Sequence, residues 1–170
     1  MRSIIFFLAS IFFLFLLITC MGLFFPARVT VSRAIDVRAS RATVYRLLSD
    51  PAQWKQWFTD AQGWTLITKE DQAVGISTPN GNSLMIDPQT DSTIVVKGLQ
   101  AASIDGDMGF RLIGRSSTDV TTVQWYMNFM FDWYPWERFS SLLLEKKFGA
   151  VMEHGLRQLQ AYAQSEGATN

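Results

Sequence analysis

One stretch near the C-terminus, "TTVQWYMNFMF" at 121–131, restricts the possible folds more than any other part of the sequence. Every second position from Val123 to Phe131 is large and apolar, whereas Gln124, Tyr126 and Asn128 between them are polar or amphipathic. Such alternation is typical of a β-strand that buries one face and exposes the other. A sheet containing this strand needs another element to cover its apolar side.

The following segment is predicted to form the helix that covers this face, because its apolar residues keep helical spacing from about Pro135 to Gln164. These residues are Phe139, Leu142, Leu143, Val151, Met152, Leu156, Leu159 and Tyr162. Pro135 suits the first position of a helix, and Glu137 suits the positive end of the helix dipole. We expect Gly149 and Gly155 to let the helix approach the sheet closely, or to bend it.

The middle of the chain is typical of short strands separated by turns. The predicted strands are "VTVSRAIDV" (29–37), "WTLIT" (64–68), "SLMID" (83–87), "STIVVKG" (92–98), "MGFRLI" (108–113) and the stretch at 121–131. "PNGN" at 79–82 predicts a tight hairpin turn, because Asn-Gly readily adopts positive φ angles. "DGD" at 105–107 and "SSTD" at 116–119 also predict turns.

Two short helical segments separate the first strand from the others. Ser40 suits an N-cap, and Val44, Leu47 and Leu48 would share one face of the helix that follows. "SDP" ends that helix, and a second helical turn carries "WKQW" at 54–57. The order of elements therefore predicts an α+β fold, an antiparallel sheet curved around the final helix.

The N-terminal segment from Ile4 to Phe25 has no charged residue and is long enough to cross a bilayer. We predict an uncleaved transmembrane helix, since a cleavable signal has a shorter apolar core and a small-residue cleavage site. "LITC", ending at Cys20, is a poor match to a lipoprotein signal because Thr19 precedes the cysteine. Lipidation of Cys20 stays open. Four arginines follow the span closely and one precedes it, which favours a cytoplasmic domain.

The charge balance and the rarity of histidine and cysteine exclude several classes of function. Lys+Arg and Asp+Glu are equal at 15 each, so no global field attracts nucleic acid. His154 is the single histidine and Cys20, in the apolar span, the single cysteine. We therefore predict no metal site, no cofactor and no catalytic constellation, with His154 a surface or partly buried residue of the final helix. Lys146 and Lys147 are interpreted as a solvated face or as contacts to anionic headgroups.

Two longer stretches resemble a known family. "VSRAIDVRASRATVYRLLSDPAQWKQW" is similar to the opening of the START-like helix-grip superfamily, which includes polyketide cyclases/dehydrases and the Bet v 1 allergens. "YPWERFSSLLLEKKFGAVMEHGLRQL" looks like the final helix of a bacterial, membrane-anchored, polyketide-cyclase-like subgroup. The resemblance covers about Val29 to Gln164. Ser40 departs from the proline that many relatives carry, but either residue can begin a helix.

The resemblance implies a cavity between the sheet and the long helix. The residues expected to line it are Trp125, Met127, Phe129, Phe110, Leu112, Met152 and Leu156. The same residues would also suit a completely filled core, and the sequence does not distinguish the two. Trp133, Tyr134 and Trp136 are similarly open to two interpretations, an aromatic belt at the membrane or the packed corner before the final helix.

These observations lead to one principal hypothesis and two alternatives. The predicted organisation is a transmembrane anchor at 1–27, a START-like helix-grip domain at 28–165 and a disordered tail at 166–170. We expect the domain to bind or shield a hydrophobic or lipid-like small molecule without catalysis. A cyclase/dehydrase-type enzyme would need an ionisable side chain, such as Arg111 or Glu137, pointing into the pocket. A structural or interaction subunit would have a filled core.

Overall fold

The computed structural model describes residues 2–79, 81–101, 104–114, 119–132 and 134–167. The helices are α1 (Arg2–Leu23), α2 (Arg41–Ser49), α3 (Trp54–Trp57) and α4 (Pro135–Gly167), with 3₁₀ helices at Pro51–Gln53 and Thr59–Gly63. The strands are β1 (Arg28–Val37), β2 (Thr65–Lys69), β3 (Gln72–Ser77), β4 (Ser83–Thr90), β5 (Thr93–Ala101), β6 (Ile104–Ile113) and β7 (Thr121–Met130).

The strands form one antiparallel sheet in the order β1-β7-β6-β5-β4-β3-β2. β1 and β2 follow each other in the chain but lie at opposite edges, and α2 and α3 connect them. α4 packs on the sheet, mainly against β1. This arrangement confirms the predicted α+β helix-grip fold.

The alternation in β7 is confirmed. Val123, Trp125, Met127 and Phe129 are at most 4 % exposed, so this strand presents a continuous apolar face to the interior. In the sheet register, Trp125 pairs with Phe110 of β6 on one side. The inner face of the sheet is therefore built from large side chains on adjacent strands.

The connection between the sheet edges is also confirmed. The Ser40 hydroxyl caps α2 by accepting a hydrogen bond from the backbone N–H of Thr43 at 3.2 Å. Val44, Leu47 and Leu48 are fully buried. A side-chain oxygen at this position satisfies a backbone donor that the first helical turn leaves unpaired.

Two features of the strands differ from the sequence predictions. β3, "QAVGIS", was not predicted, because the preceding turn uses Glu70 and Asp71 at φ 52° and 62° instead of Gly or Asn. The predicted turn "DGD" at 105–107 is wrong, since these residues continue β6. Gly106 is needed there for close packing, because a Cβ would stand 2.5 Å from the carbonyl oxygen of Asn128.

The other two turn predictions have different outcomes. "PNGN" joins β3 to β4, with Thr78 N donating to Asn82 O at 2.9 Å, so the predicted hairpin is confirmed. Its residue 80 lies outside the described residues. Of "SSTD", only Asp119 is described, so that turn stays a prediction.

α4 begins at Pro135, as predicted, but spacing alone does not identify its buried face. The buried apolar residues of α4 are Leu144, Met152, Leu156, Leu159 and Ala163. Leu142 and Leu143 are 62 % and 65 % exposed and Val151 is 41 % exposed, although they keep helical spacing. Leu142 and Leu143 are two residues and one residue from Leu144, and positions so close in sequence do not share a helix face.

The two glycines of α4 allow close approach, as the sequence predicts. A Cβ at Gly149 would stand 2.7 Å from Nη2 of Arg33, and a Cβ at Gly155 would stand 2.8 Å from Cζ3 of Trp125. Both distances are below normal contact. A larger residue at either position would require its neighbour to move.

α1 is long and apolar enough to cross a membrane by length and composition, with a mean hydropathy of 2.9 over Arg2–Gly22. None of its most apolar window is buried against the rest of the structure, and a signal sequence has similar properties. The end of α1 is attached to the start of α4. The rings of Phe25 and Phe139 lie 5.0 Å apart between centroids, and Arg138 Nη1 donates to Phe25 O at 2.9 Å.

A hydrogen bond from Asp132 N to Oε2 of Glu137, 3.1 Å long, stabilises the corner between β7 and α4. Glu137 also lies in the first turn of α4, as the sequence predicts. Trp133 and the side chain of Trp136 lie outside the described part of the chain. The two interpretations of the aromatic residues at this corner therefore both stay predictions.

Candidate ligand cavity

A cavity of about 240 Å³ lies between the inner face of the sheet, the α3–β2 connection and α4, and it is partly open to solvent. Its sheet side is formed by Leu84, Met108, Trp125 and Met127. These side chains are at most 4 % exposed, so they belong to the rigid core of the domain. The interior is therefore not completely filled between sheet and helix.

Aromatic side chains from the connection between the sheet edges form a second wall. Trp54, Phe58 and Trp64 all line the cavity. The ring of Phe58 meets Trp64 edge-on at 5.6 Å and Trp125 edge-on at 6.1 Å between centroids. Edge-to-face packing at these separations is favourable. The aromatic wall is thus preformed by its own contacts.

α4 contributes Lys147, Phe148 and Val151 to the cavity. Phe148 packs against Phe129 of β7 with a centroid separation of 5.0 Å. Lys147 is exposed, and its Nζ lies 5.3 Å from the centroid of the Phe148 ring. Lys147 and Val151 are therefore exposed positions on the helix side of the opening.

The seven residues predicted to line a cavity fall into two groups. Trp125 and Met127 line it. Phe110, Leu112, Phe129, Met152 and Leu156 are at most 4 % exposed and pack in the surrounding core. Leu156 also borders a separate surface groove with Arg33 and Glu153. A ligand-contacting role for the seven residues stays a prediction.

Several lining residues were not predicted from the sequence. Met108 could have been found from strand register, because it pairs with Met127 on the neighbouring strand. Phe58 and Trp64 come from segments whose direction is set only by tertiary packing. The aromatic spacing in "WKQWF" gave the one available signal.

The ionisable residues at the cavity also differ from those considered in the sequence. Arg111 stacks over the Tyr126 ring, with Cζ 5.9 Å from its centroid, and Glu137 bonds to the corner before α4. Neither lines the cavity, whereas Asp60 and Lys147 do. Neither Arg111 nor Glu137 therefore supplies the inward-pointing ionisable group that the enzyme alternative would need, although α4 does bring the polar residue Lys147 to the cavity.

Trp125 has an unusual environment for a buried tryptophan. It is 2 % exposed, and its indole Nε1 has no hydrogen-bond partner among the described residues. Among the described tryptophans, the other two deeply buried indoles are satisfied, because Trp54 Nε1 donates to Leu48 O at 2.9 Å and Trp57 Nε1 to Leu47 O at 3.1 Å. An unpaired buried donor costs about 1–3 kcal/mol. A native structure keeps such groups for a reason.

An ion-pair cluster outside the cavity connects α4 to β1. Arg33 bonds both Glu145 and Glu153, the latter through Nε–Oε1 at 2.8 Å. The hydrogen bond from Arg33 lowers the pKa of Glu153, and bonding to Glu145 and Glu153 raises the pKa of Arg33. On the other face of the sheet, burial and then the charge of Asp107 raise the pKa of Tyr126. None of these groups lines the cavity.

Metal chemistry has no visible site in the described part of the chain. Within residues 2–79, 81–101, 104–114, 119–132 and 134–167, no group of three or more His, Cys, Asp or Glu side chains is arranged to hold a metal ion. His154 is exposed, as predicted, and its Nε2 lies 3.0 Å from Nε2 of Gln158.

Solved structures share the fold at low sequence identity. A START superfamily protein from Mycobacterium smegmatis superimposes with a TM-score of 0.62 and 17 % identity, covering 80 % of this chain and 97 % of that one. A protein from Thermobifida fusca gives 0.62 and 20 %, covering 79 % and 93 %. The di-domain ARO/CYC StfQ from the steffimycin biosynthetic pathway gives 0.61 and 12 %, covering 84 % of this chain and 52 % of that chain.

Sequence comparison identifies the family. A search of curated proteins finds no match to this chain. The model of the family described as "Polyketide cyclase / dehydrase and lipid transport" matches residues 27–164, which is most of the chain and includes every cavity-lining residue. The protein therefore belongs to the polyketide cyclase/dehydrase and lipid transport family of helix-grip proteins.

Proposed function

We propose that the protein is a membrane-tethered helix-grip domain that binds or shields a hydrophobic, lipid-like small molecule without catalysing a reaction. The observation that carries this proposal is the cavity of about 240 Å³ between sheet and α4, whose walls are mostly apolar and aromatic. Concave sites with apolar walls and few polar groups are the usual form of small-molecule sites.

The size and lining of the cavity favour a small or flexible hydrophobic ligand. Its volume is slightly below the range of about 300–1,000 Å³ that is common for ligand pockets. Met108 and Met127 lie side by side on its sheet wall. Because methionine side chains adapt to irregular shapes, these two residues would let the cavity adjust to its occupant.

The proposed membrane tether and the cavity are connected through α4. In this proposal residues 1–27 anchor the chain and residues 28–165 form the binding domain on the cytoplasmic side. The tail expected at 166–170 is wrong at its start, because α4 continues to Gly167 and Glu166 forms an ion pair with Arg46. Phe139 of α4 contacts Phe25 at the end of α1, whereas Lys147 and Val151 line the cavity. At a rise of 1.5 Å per residue, Lys147 and Val151 lie about 12 and 18 Å from Phe139 along the axis of α4. A ligand leaving the bilayer would then travel a short distance to the opening.

A cyclase/dehydrase-type enzyme is the second candidate. The observation that favours it is the presence of two ionisable side chains, Asp60 and Lys147, at the cavity. An ionisable side chain positioned beside a substrate can act as a general acid or a general base. If this candidate is right, Lys147→Met and Asp60→Asn abolish turnover of a poly-β-ketone substrate but retain its binding. Absence of turnover by the native protein would favour the non-catalytic function.

The proposed function is tested by blocking the cavity opening in the full chain, reconstituted in nanodiscs. The probe is the hydrophobic dye N-phenyl-1-naphthylamine, which fluoresces in apolar surroundings. Val151→Trp adds bulk at a lining residue that is 41 % exposed, and Ala150→Trp is the matched control at an exposed neighbour outside the lining. We expect saturable binding by the native protein and the control, and at least tenfold weaker binding by Val151→Trp. Equal binding by all three proteins would contradict the proposal.

A further inference from the structure

We propose that the indole N–H of Trp125 is the polar anchor of the cavity and donates a hydrogen bond to a neutral acceptor oxygen of the ligand. The ligand class is then a hydrophobic molecule that carries a ketone, ester, ether or hydroxyl oxygen within its buried part. This inference rests on the proposed function, because it specifies what the cavity selects.

The first observation is that Trp125 combines a cavity position with an unpaired donor. It lines the cavity, it is 2 % exposed, and its Nε1 has no partner among the described residues. Trp54 also lines the cavity, but its indole N–H donates to Leu48 O. Among the buried tryptophans that the structure describes, the missing partner is therefore specific to Trp125.

The second observation is that the Trp125 ring is held in place. Phe110 packs against it with a centroid separation of 5.1 Å, and Phe58 meets it edge-on at 6.1 Å. On the α4 side, the space next to Cζ3 is so restricted that a Cβ at Gly155 would stand 2.8 Å away. A ring held by these contacts has little room to turn towards a protein acceptor. A molecule in the cavity would supply the missing acceptor.

The surroundings of Trp125 determine the charge of the group that it would bind. Its neighbours Phe58, Phe110 and Met127 are apolar, and an ionised carboxylate buried among them would have no compensating charge. A neutral oxygen needs only one donor to be satisfied. Lys147, by contrast, is an exposed residue of the cavity lining. Its ammonium group would have to leave solvent to compensate the charge of a carboxylate buried beside Trp125.

The inference is tested with two probes that differ only in the acceptor oxygen, 1-tetralone and tetralin. Their affinities are measured for the full chain in nanodiscs and for Trp125→Phe and Trp57→Phe. Partition into lipid is the same for all three proteins, so it cancels when they are compared. We expect the preference for the ketone over the hydrocarbon to fall by about three- to tenfold in Trp125→Phe. Trp57→Phe removes a buried indole that does not line the cavity and should leave the preference unchanged.

A second measurement uses the native protein, so the result does not depend on the folding of a variant. In ¹H–¹⁵N spectra, one indole N–H signal should move downfield with 1-tetralone and not with tetralin, and it should be the signal missing from Trp125→Phe. Binding of both probes with no change in preference and no selective shift would overturn the inference and leave the proposed function intact. An identical shift with both probes would assign the partner to water and also overturn it. Failure of the native protein to bind either probe or the naphthylamine dye would instead refute the proposed function.

Discussion

The backbone of Gly155 lies directly against the indole ring of Trp125, where an added Cβ would stand 2.8 Å from Cζ3. The same Cβ would stand 3.1 Å from Cε2 of Phe58. Both aromatic residues line the cavity, so this glycine sets the distance between α4 and the cavity wall. The close contact links the packing of the helix to the shape of the proposed binding site.

Gly155→Ala should destabilise the protein and alter the cavity. Two rigid, buried rings would have to move, and overpacking of this kind costs about 1–3 kcal/mol, more than the helix propensity gained. Gly149→Ala is the matched control on the same helix. Its Cβ would first meet the terminal Nη2 of Arg33, a flexible side-chain end. Urea unfolding followed by tryptophan fluorescence should show a lower midpoint for Gly155→Ala and a smaller change for Gly149→Ala; equal midpoints would contradict this packing argument.

The ion pair between Arg33 and Glu153 predicts a specific dependence of stability on pH. Because the pKa of Glu153 is lowered in the folded state, its carboxylate stabilises the fold above the ordinary glutamate pKa. That contribution is lost as the pH falls through the lowered pKa, whereas Arg33 stays charged throughout. Glu153→Gln lacks the contribution at every pH. The difference in unfolding midpoint between native protein and Glu153→Gln should therefore be largest near pH 7. It should shrink towards zero as the pH falls from about 5 to about 3.

Glu70→Gln is the control for this experiment, since Glu70 lies in the exposed turn between β2 and β3. It should leave the pH profile of the native protein unchanged. High salt should reduce the effect of Glu153→Gln at pH 7, because the pair is partly exposed and therefore screened. A difference between native protein and Glu153→Gln that is constant from pH 7 to pH 3 would contradict the assigned role of this ion pair.

The proposed side of the membrane can be tested with single cysteines, since Cys20 is the only one in the native chain. In a Cys20→Ser background, Ala42→Cys places a thiol at an exposed position of the soluble domain. We expect a membrane-impermeant maleimide to label this thiol in broken cells and not in intact cells. Labelling in intact cells would place the domain on the outer side. Release of the native chain from membranes by carbonate would contradict the anchor itself.

The fold was predictable from the sequence because its main signals are local. The alternation from Val123 to Phe129, the Ser40 cap and Pro135 at the start of α4 each depend on neighbouring residues only. All three agree with the structure. The errors concern features decided by partners distant in sequence. Gly106 continues a strand because Asn128 lies against it, which the dipeptide Asp-Gly cannot show.

The cavity was less predictable, for a related reason. Strand alternation showed that Trp125 and Met127 face inward, but it does not show which inward residues border empty space. Empty volume depends on how closely α4 and the α3–β2 connection approach the sheet. Phe58 and Asp60 reach the cavity through that connection, and apart from the aromatic spacing in "WKQWF" nothing in the sequence indicates it.

The central claim is that the domain carries a hydrophobic molecule in the cavity between sheet and α4. The most direct measurement is native mass spectrometry of the full chain released from nanodiscs, with Val151→Trp and Ala150→Trp measured in parallel. We expect the native chain and Ala150→Trp to retain one hydrophobic small molecule, and Val151→Trp to lose it. Lipid that merely adheres to α1 would be retained equally by all three proteins. Equal occupancy in the three, or the bare chain mass for the native protein, would contradict the claim.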